Sequence, residues 1–99
     1  DLAGVRIVDR ETHEDRIDHP DGVFIFIGLE PNTGPFKDVL DTDEWGFITT
    51  SESLETSIPG VFAAGDVRAR STKQAAAAAG EGATAALMVR QYLQRVPAM

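Results

Sequence analysis

Residues 56–66 read Thr56-Ser57-Ile58-Pro59-Gly60-Val61-Phe62-Ala63-Ala64-Gly65-Asp66, and Ser71-Thr72-Lys73-Gln74-Ala75 follows at the head of a long alanine-rich stretch. A turn at Pro59-Gly60 feeds an apolar run, 61–64, whose lack of a polar face predicts a strand buried between layers. Gly65 and Asp66 then leave its carboxyl end, which is where open α/β sheets place their ligands. An Asp at that point can accept hydrogen bonds from sugar or ribityl hydroxyls. The glycine before it removes a side chain that would obstruct a cofactor's close approach. Strand, turn and helix in this order predict an α/β fold.

The helix is predicted over residues 72–95. Ser71-Thr72-Lys73-Gln74 has capping-box spacing, with Ser71 as the cap and Gln74 reaching back. Ala75, Ala78, Ala79, Gly82, Ala86, Val89 and Leu93 recur at helical spacing and predict a narrow apolar stripe, small at its N-terminal end. A helix start leaves N–H groups without partners and carries roughly half a positive charge, so it suits an acceptor-rich group. Gly80-Glu81-Gly82-Ala83-Thr84-Ala85 matches a dinucleotide fingerprint in letters only. It lies inside the helix, where its glycines cannot form the strand-to-helix turn that brings backbone N–H groups onto a pyrophosphate. It reads as small residues that permit close packing.

Toward the N-terminus, Val5 and Ile7, with Leu2, form an alternating strand, and residues 16–18 a return strand across the polar turn 10–15. Val23-Phe24-Ile25-Phe26-Ile27 has no wet face and predicts a fully buried strand. Gly28 ends it and Pro31 changes its direction. From 32 to 53 the chain is loop-rich, with a helical turn at 36–40 capped by Asn32 or Thr33, and strands at 46–49 and near Leu54. Asp38, Asp41, Asp43 and Glu44 crowd there without the ligand spacing of a calcium loop, and read as a solvated acidic loop. Trp45 is expected to cover the edge of the following strand. His13 and His19 lie in the polar hairpin, far from any nucleophile, and Arg68 and Arg70 read as loop-solvating residues.

The 99-residue length allows at most one small domain with a modest core, and the apolar fraction of 42% and charged fraction of 25% are those of a globular protein. A net charge of −7 argues against nucleic acid as a partner. No apolar run approaches the ~18 residues of a membrane span, and no signal peptide is visible. The chain has no cysteine, so cysteine usage does not report a redox compartment.

Three blocks in fixed order carry a family resemblance: Phe26-Ile27-Gly28-Leu29-Glu30-Pro31-Asn32-Thr33, residues 56–66, and Lys73-Gln74-Ala75 with Ala79-Gly80-Glu81-Gly82-Ala83. Together, over about residues 5–93, they resemble the C-terminal part of pyridine-nucleotide-disulfide reductases of the low-molecular-weight thioredoxin reductase type. The first and last blocks are also similar to the flavoprotein subunit of alkyl hydroperoxide reductase. The resemblance implies a C-terminal fragment of a Rossmann-like FAD/NAD(P)-binding domain. Residues 1–28 would be the tail of the NAD(P)H-binding domain and a crossing strand, with Gly28 at the hinge, and residues 29–99 the last segment of a discontinuous FAD-binding domain.

The same resemblance implies FAD and NADPH as cofactors, with Gly65, Asp66, Lys73, Gln74 and Ala75 holding the ribityl and pyrimidine half of FAD. Lys73 stands where some members have Arg. The nicotinamide site, the Cys-x-x-Cys and any catalytic residue would lie outside this chain, which is then inactive alone. The implied whole is a cytoplasmic homodimer serving a thioredoxin-like or peroxiredoxin-system partner. A thioredoxin-reductase-like ferredoxin-NADP reductase without the cysteine pair, and a non-catalytic module that keeps the fold, are the alternatives.

Overall fold

The computed structural model describes residues 1–97. Strands β1 (Val5–Val8) and β2 (Asp15–Asp18) form the expected antiparallel hairpin, with Val5 opposite Asp18 and Val8 opposite Asp15. Asp9 organises the connecting loop. Its Oδ1 accepts the backbone N–H groups of Glu11 at 2.8 Å and Thr12 at 3.0 Å, while its own N–H donates to the Glu14 carbonyl at 2.9 Å. The bonds to its carboxylate, that from Thr12 first, hold the Asp9 carboxyl below its ordinary range. Ile7, Val8 and Ile17 are exposed, and a two-stranded ribbon with no covering layer is marginal by itself.

The chain leaves β2 as an extended segment and enters a second lobe near Thr33. Here the structure corrects the sequence reading. Residues 23–27 pair with no neighbouring strand among the described residues, and Phe26 and Ile27 are 90% and 91% exposed. Five apolar residues without a wet face need a layer on each side, and the described residues supply neither. The outcome is an elongated molecule: its radius of gyration is 20.5 Å, against about 13 Å for a compact chain of this length.

In the second lobe a single 3-10 turn, Gly34–Phe36, is extended by the Leu40 N–H donating to the Phe36 carbonyl at 2.8 Å. Thr33 does not cap that turn through its side chain; its buried hydroxyl donates to the Gly46 carbonyl instead, tying the turn to the next loop. The strands expected at 46–49, near Leu54 and at 61–64 shrink to single rungs. Ile48 bridges Thr42 on one side and, in parallel, Arg68 on the other, and Glu55 bridges Phe62. Leu40, Ile48, Leu54 and Ala63 are buried, with Ile58 and Val67 packed against this core. Trp45 covers no edge and is 69% exposed, because Asp43 Oδ1 takes the N–H groups of Trp45 and Phe47 in a tight turn that directs the indole outward.

Helix α1 spans Ala75–Arg95. Its half-buried positions are Ala77, Ala78, Glu81, Ala85, Met88 and Tyr92, which apart from the adjacent first two are spaced by three and four. Of the stripe expected from sequence only Ala78 lies on that face; Leu93, at the other end, is 66% exposed. The helix therefore has two apolar sides, and alanine spacing alone could not say which one packs here. No helix among the described residues is long and apolar enough to cross a membrane.

So small a core offsets chain entropy weakly. The 99-residue chain alone is expected to unfold over a broad temperature range and to bind a hydrophobic dye in its native buffer. A sharp calorimetric transition without dye binding would contradict this reading of residues 23–27 and the outer face of α1.

Candidate functional site

Gly65 and Asp66 stand at the head of α1. Gly65 is buried with φ of +87°, a backbone region that L side chains rarely adopt, and a Cβ at this position would lie 3.5 Å from the Ala78 Cβ. The turn closes when the Arg68 N–H donates to the Gly65 carbonyl at 3.0 Å. Asp66 rides on this turn, exposed, and its carboxylate takes part in no hydrogen bond or ion pair among the described residues. It lines a cavity of about 290 Å³ together with Leu29, Glu30, Pro31, Asn32 and Phe47. Two of the sequence blocks, 26–33 and 56–66, thus meet at one opening through residues 29–32 and Asp66.

Behind the turn lies a pair that sequence reasoning missed. Glu81 Oε2 accepts the Gly65 N–H at 2.7 Å and Arg68 Nε at 3.0 Å, while Oε1 accepts the other arm of the Arg68 guanidinium at 2.8 Å. Both side chains are only 16% exposed. A fork-on-carboxylate pair in that setting is strong and directional. The Arg68 hydrogen bonds, chiefly, and the Gly65 N–H push the Glu81 pKa down from 4.5 to about 2, against the opposing effect of burial. The same pairing raises the Arg68 pKa. No sequence signal marked this pair: the expected apolar stripe left Glu81 out, and only the structure shows it on the packed face of α1, where an acid requires a partner.

A pH dependence follows with a definite sign. Because the Glu81 carboxyl is more acidic in the fold than its ordinary 4.5, its stabilisation is fully present above about pH 4.5 and disappears as pH falls toward 2. Acid unfolding of the parent protein and of Glu81→Gln should converge over that window. Parallel curves throughout would contradict the assignment.

The residues leading into α1 do not form the expected capping box. Ser71 Oγ accepts the Lys73 N–H at 3.4 Å, Lys73 takes φ of +59°, and Gln74 occupies the cap position with extended backbone and no side-chain cap bond. The Lys73 ammonium donates to the Arg68 carbonyl at 2.8 Å and sits 3.9 Å from the Phe47 ring centroid. Lys73 therefore braces the loop, and the Ala75 end of the helix presents N–H donors with no side-chain cap on them. Gln74→Ala should consequently change stability by less than about 0.5 kcal/mol. A loss near 1 kcal/mol or more in denaturant titration would restore Gln74 to a capping role.

Residues 4–82 match the pyridine nucleotide-disulphide oxidoreductase family. The chain belongs to that family. Among curated pyridine nucleotide-disulphide oxidoreductase relatives, it is 40% identical over 95 residues to a thioredoxin reductase of Bacillus subtilis, covering 96% of this chain and 30% of that protein. It is also 40% identical over 94 residues to an alkyl hydroperoxide reductase component of Staphylococcus aureus, covering 95% of this chain and 18% of that protein. The structure of thioredoxin reductase from Streptococcus pyogenes superposes with a TM-score of 0.76 at 41% identity, over 94% of this chain and 30% of that one. The chain thus spans under a third of the length of these relatives. Its α/β class, as a fragment of the oxidoreductase fold beginning with a hairpin, agrees with the sequence reading.

A flavin's needs can be compared with the groups present. An uncommitted carboxylate at a glycine turn suits polyol hydroxyls, and uncapped helix N–H donors suit the carbonyl-bearing edge of an isoalloxazine. Both kinds of group are present, Asp66 on the turn whose Gly65 packs against Ala78 of α1 and the N–H donors at the Ala75 end, and their chemistry fits FAD.

Proposed function

We propose that this chain is the C-terminal segment of an FAD-dependent NAD(P)H oxidoreductase of the thioredoxin-disulfide reductase type, and that residues 65–75 hold the ribityl and pyrimidine half of FAD. The observation that carries this reading is the exposed Asp66, unpaired among the described residues, on a buried glycine turn at the head of α1. In the proposal Asp66 accepts the ribityl hydroxyls, and Gly65 lets the cofactor and α1 approach the turn. The N–H groups at Ala75, set by Gln74 in the cap position, face the pyrimidine edge. Lys73 fixes the loop that leads to them. FAD bound there would supply the redox chemistry, hydride acceptance from NADPH and electron transfer toward a disulfide.

The hairpin and the extended segment would belong to the NAD(P)H-binding domain and its crossing strand, residues 1–28, and residues 29–99 to the FAD-binding domain. Support comes from the elongated shape and from the absence, among the described residues, of a layer covering 23–27. The whole protein, on this reading, is a cytoplasmic homodimer that passes electrons to a thioredoxin-like or peroxiredoxin-system partner. The names of its thioredoxin reductase and alkyl hydroperoxide reductase relatives support that class of partner.

The full-length protein should purify with flavin absorbance that bleaches on anaerobic addition of NADPH. This 99-residue chain, given FAD, should neither oxidise NADPH nor reduce a disulfide. A colourless full-length protein that takes up no added FAD would defeat the proposal, and so would turnover by the isolated segment.

A further inference from the structure

We propose that Glu81 is a positioning residue for the flavin site: one carboxylate on α1 grips both ends of the turn that carries Asp66 and so sets the acid's place relative to the helix head. The inference rests on the reading of Asp66 and Ala75 as flavin contacts and adds to it a residue that touches no cofactor. Gly65 precedes Asp66 and Arg68 closes the turn. The first gives its N–H to Glu81 at 2.7 Å and the second gives both arms of its guanidinium at 3.0 and 2.8 Å.

The grip continues outward from Arg68. Its remaining guanidinium nitrogen donates to Thr50 Oγ1 at 3.4 Å, its carbonyl receives the Lys73 ammonium at 2.8 Å, and its backbone pairs with Ile48 in the buried cluster. The turn is therefore tied to the helix through Glu81, to the approach to α1 through Lys73, and to the core through Ile48. Of these three ties, that of Glu81 is the one made to Gly65, through its N–H, while the Gly65 carbonyl is held within the turn by the Arg68 N–H at 3.0 Å. Because Glu81 also rides on the helix whose first N–H groups face the cofactor, losing it frees Asp66 to move against those donors. A small misplacement of a positioned group is costly at a binding site.

The test uses the full-length flavoprotein and two substitutions. Glu81→Gln keeps the shape and an acceptor for the Gly65 N–H but loses the charge and the forked pair; Glu81→Ala loses everything. FAD dissociation constants would be measured well below each variant's unfolding midpoint, together with the visible circular dichroism of bound flavin, which reports its asymmetric surroundings and is insensitive to global stability. Glu81→Ala is expected to weaken FAD binding by about tenfold and to change the flavin dichroism, with Glu81→Gln intermediate, since tenfold corresponds to about 1.4 kcal/mol.

A fold-stabilising role alone would lower the midpoint of both variants while leaving affinity and dichroism at parent values, and that result overturns the inference. If Glu81→Ala fails to fold, Glu81→Gln decides by the same two readouts. A parent protein that binds no FAD would defeat the proposed function itself, and this inference with it. That outcome is distinct from a parent that binds normally beside variants that do too.

Discussion

Asp66→Ala, made in the full-length flavoprotein, is expected to yield protein that purifies largely without FAD. Asp66 is exposed, sits on a turn fixed by Gly65 and Arg68, and has no partner of its own among the described residues, so its removal costs the fold little. What it removes is a charged acceptor facing the cavity shared with residues 29–32. A hydrogen bond to such an acceptor is worth ~1.5–3 kcal/mol, which weakens binding by about tenfold to over a hundredfold. Titrating FAD into parent and variant apoproteins measures this directly, and equal affinities with an unchanged fold would remove Asp66 from the site.

The largest effect on stability is expected at Gly60. Its φ is +82°, and a Cβ built there would meet the Tyr92 ring at 2.9 Å, with the ring lying edge-on to Phe62 at 6.3 Å between centroids. Gly60→Ala therefore combines a strained backbone with overpacking against the helix, for a loss of about 1–3 kcal/mol. Gly65→Ala carries similar strain but ordinary contact with Ala78 at 3.5 Å, and should lose less. Adding Tyr92→Leu to Gly60→Ala should recover the overpacking share alone. If denaturant unfolding shows Gly60→Ala within error of the parent, the close approach of the 59–60 turn to α1 is wrong.

Sequence was most informative where the determining interactions are local. The hairpin followed from alternation on either side of a polar turn, and the Gly65-Asp66 turn from an apolar run ending in a glycine, whose φ of +87° the structure then supplied. Residues 23–27 and 61–64 were read as buried strands because their composition demands two covering layers, and composition cannot say whether those layers are in the same chain. The helix was predicted in roughly the right place, but its packed side was not, because alanines and glycines line more than one face of α1.

The capping box at Ser71 and Gln74 failed for a related reason. Lys73 adopts φ of +59° while its ammonium reaches back to the Arg68 carbonyl, and that tertiary contact overrides a local pattern. The Arg68–Glu81 pair was invisible for want of any local signature: it joins a turn to a helix face, and Glu81 lay hidden in what looked like a fragment of a glycine fingerprint.

The central claim, that residues 65–75 face a flavin, is tested most directly by hydrogen exchange on the full-length protein with and without bound FAD. Peptides covering 64–78 should exchange markedly more slowly in the FAD-bound form, while the hairpin peptides covering 5–18 exchange alike in both. Protection elsewhere, with 64–78 unchanged in a protein that demonstrably holds FAD, would contradict it.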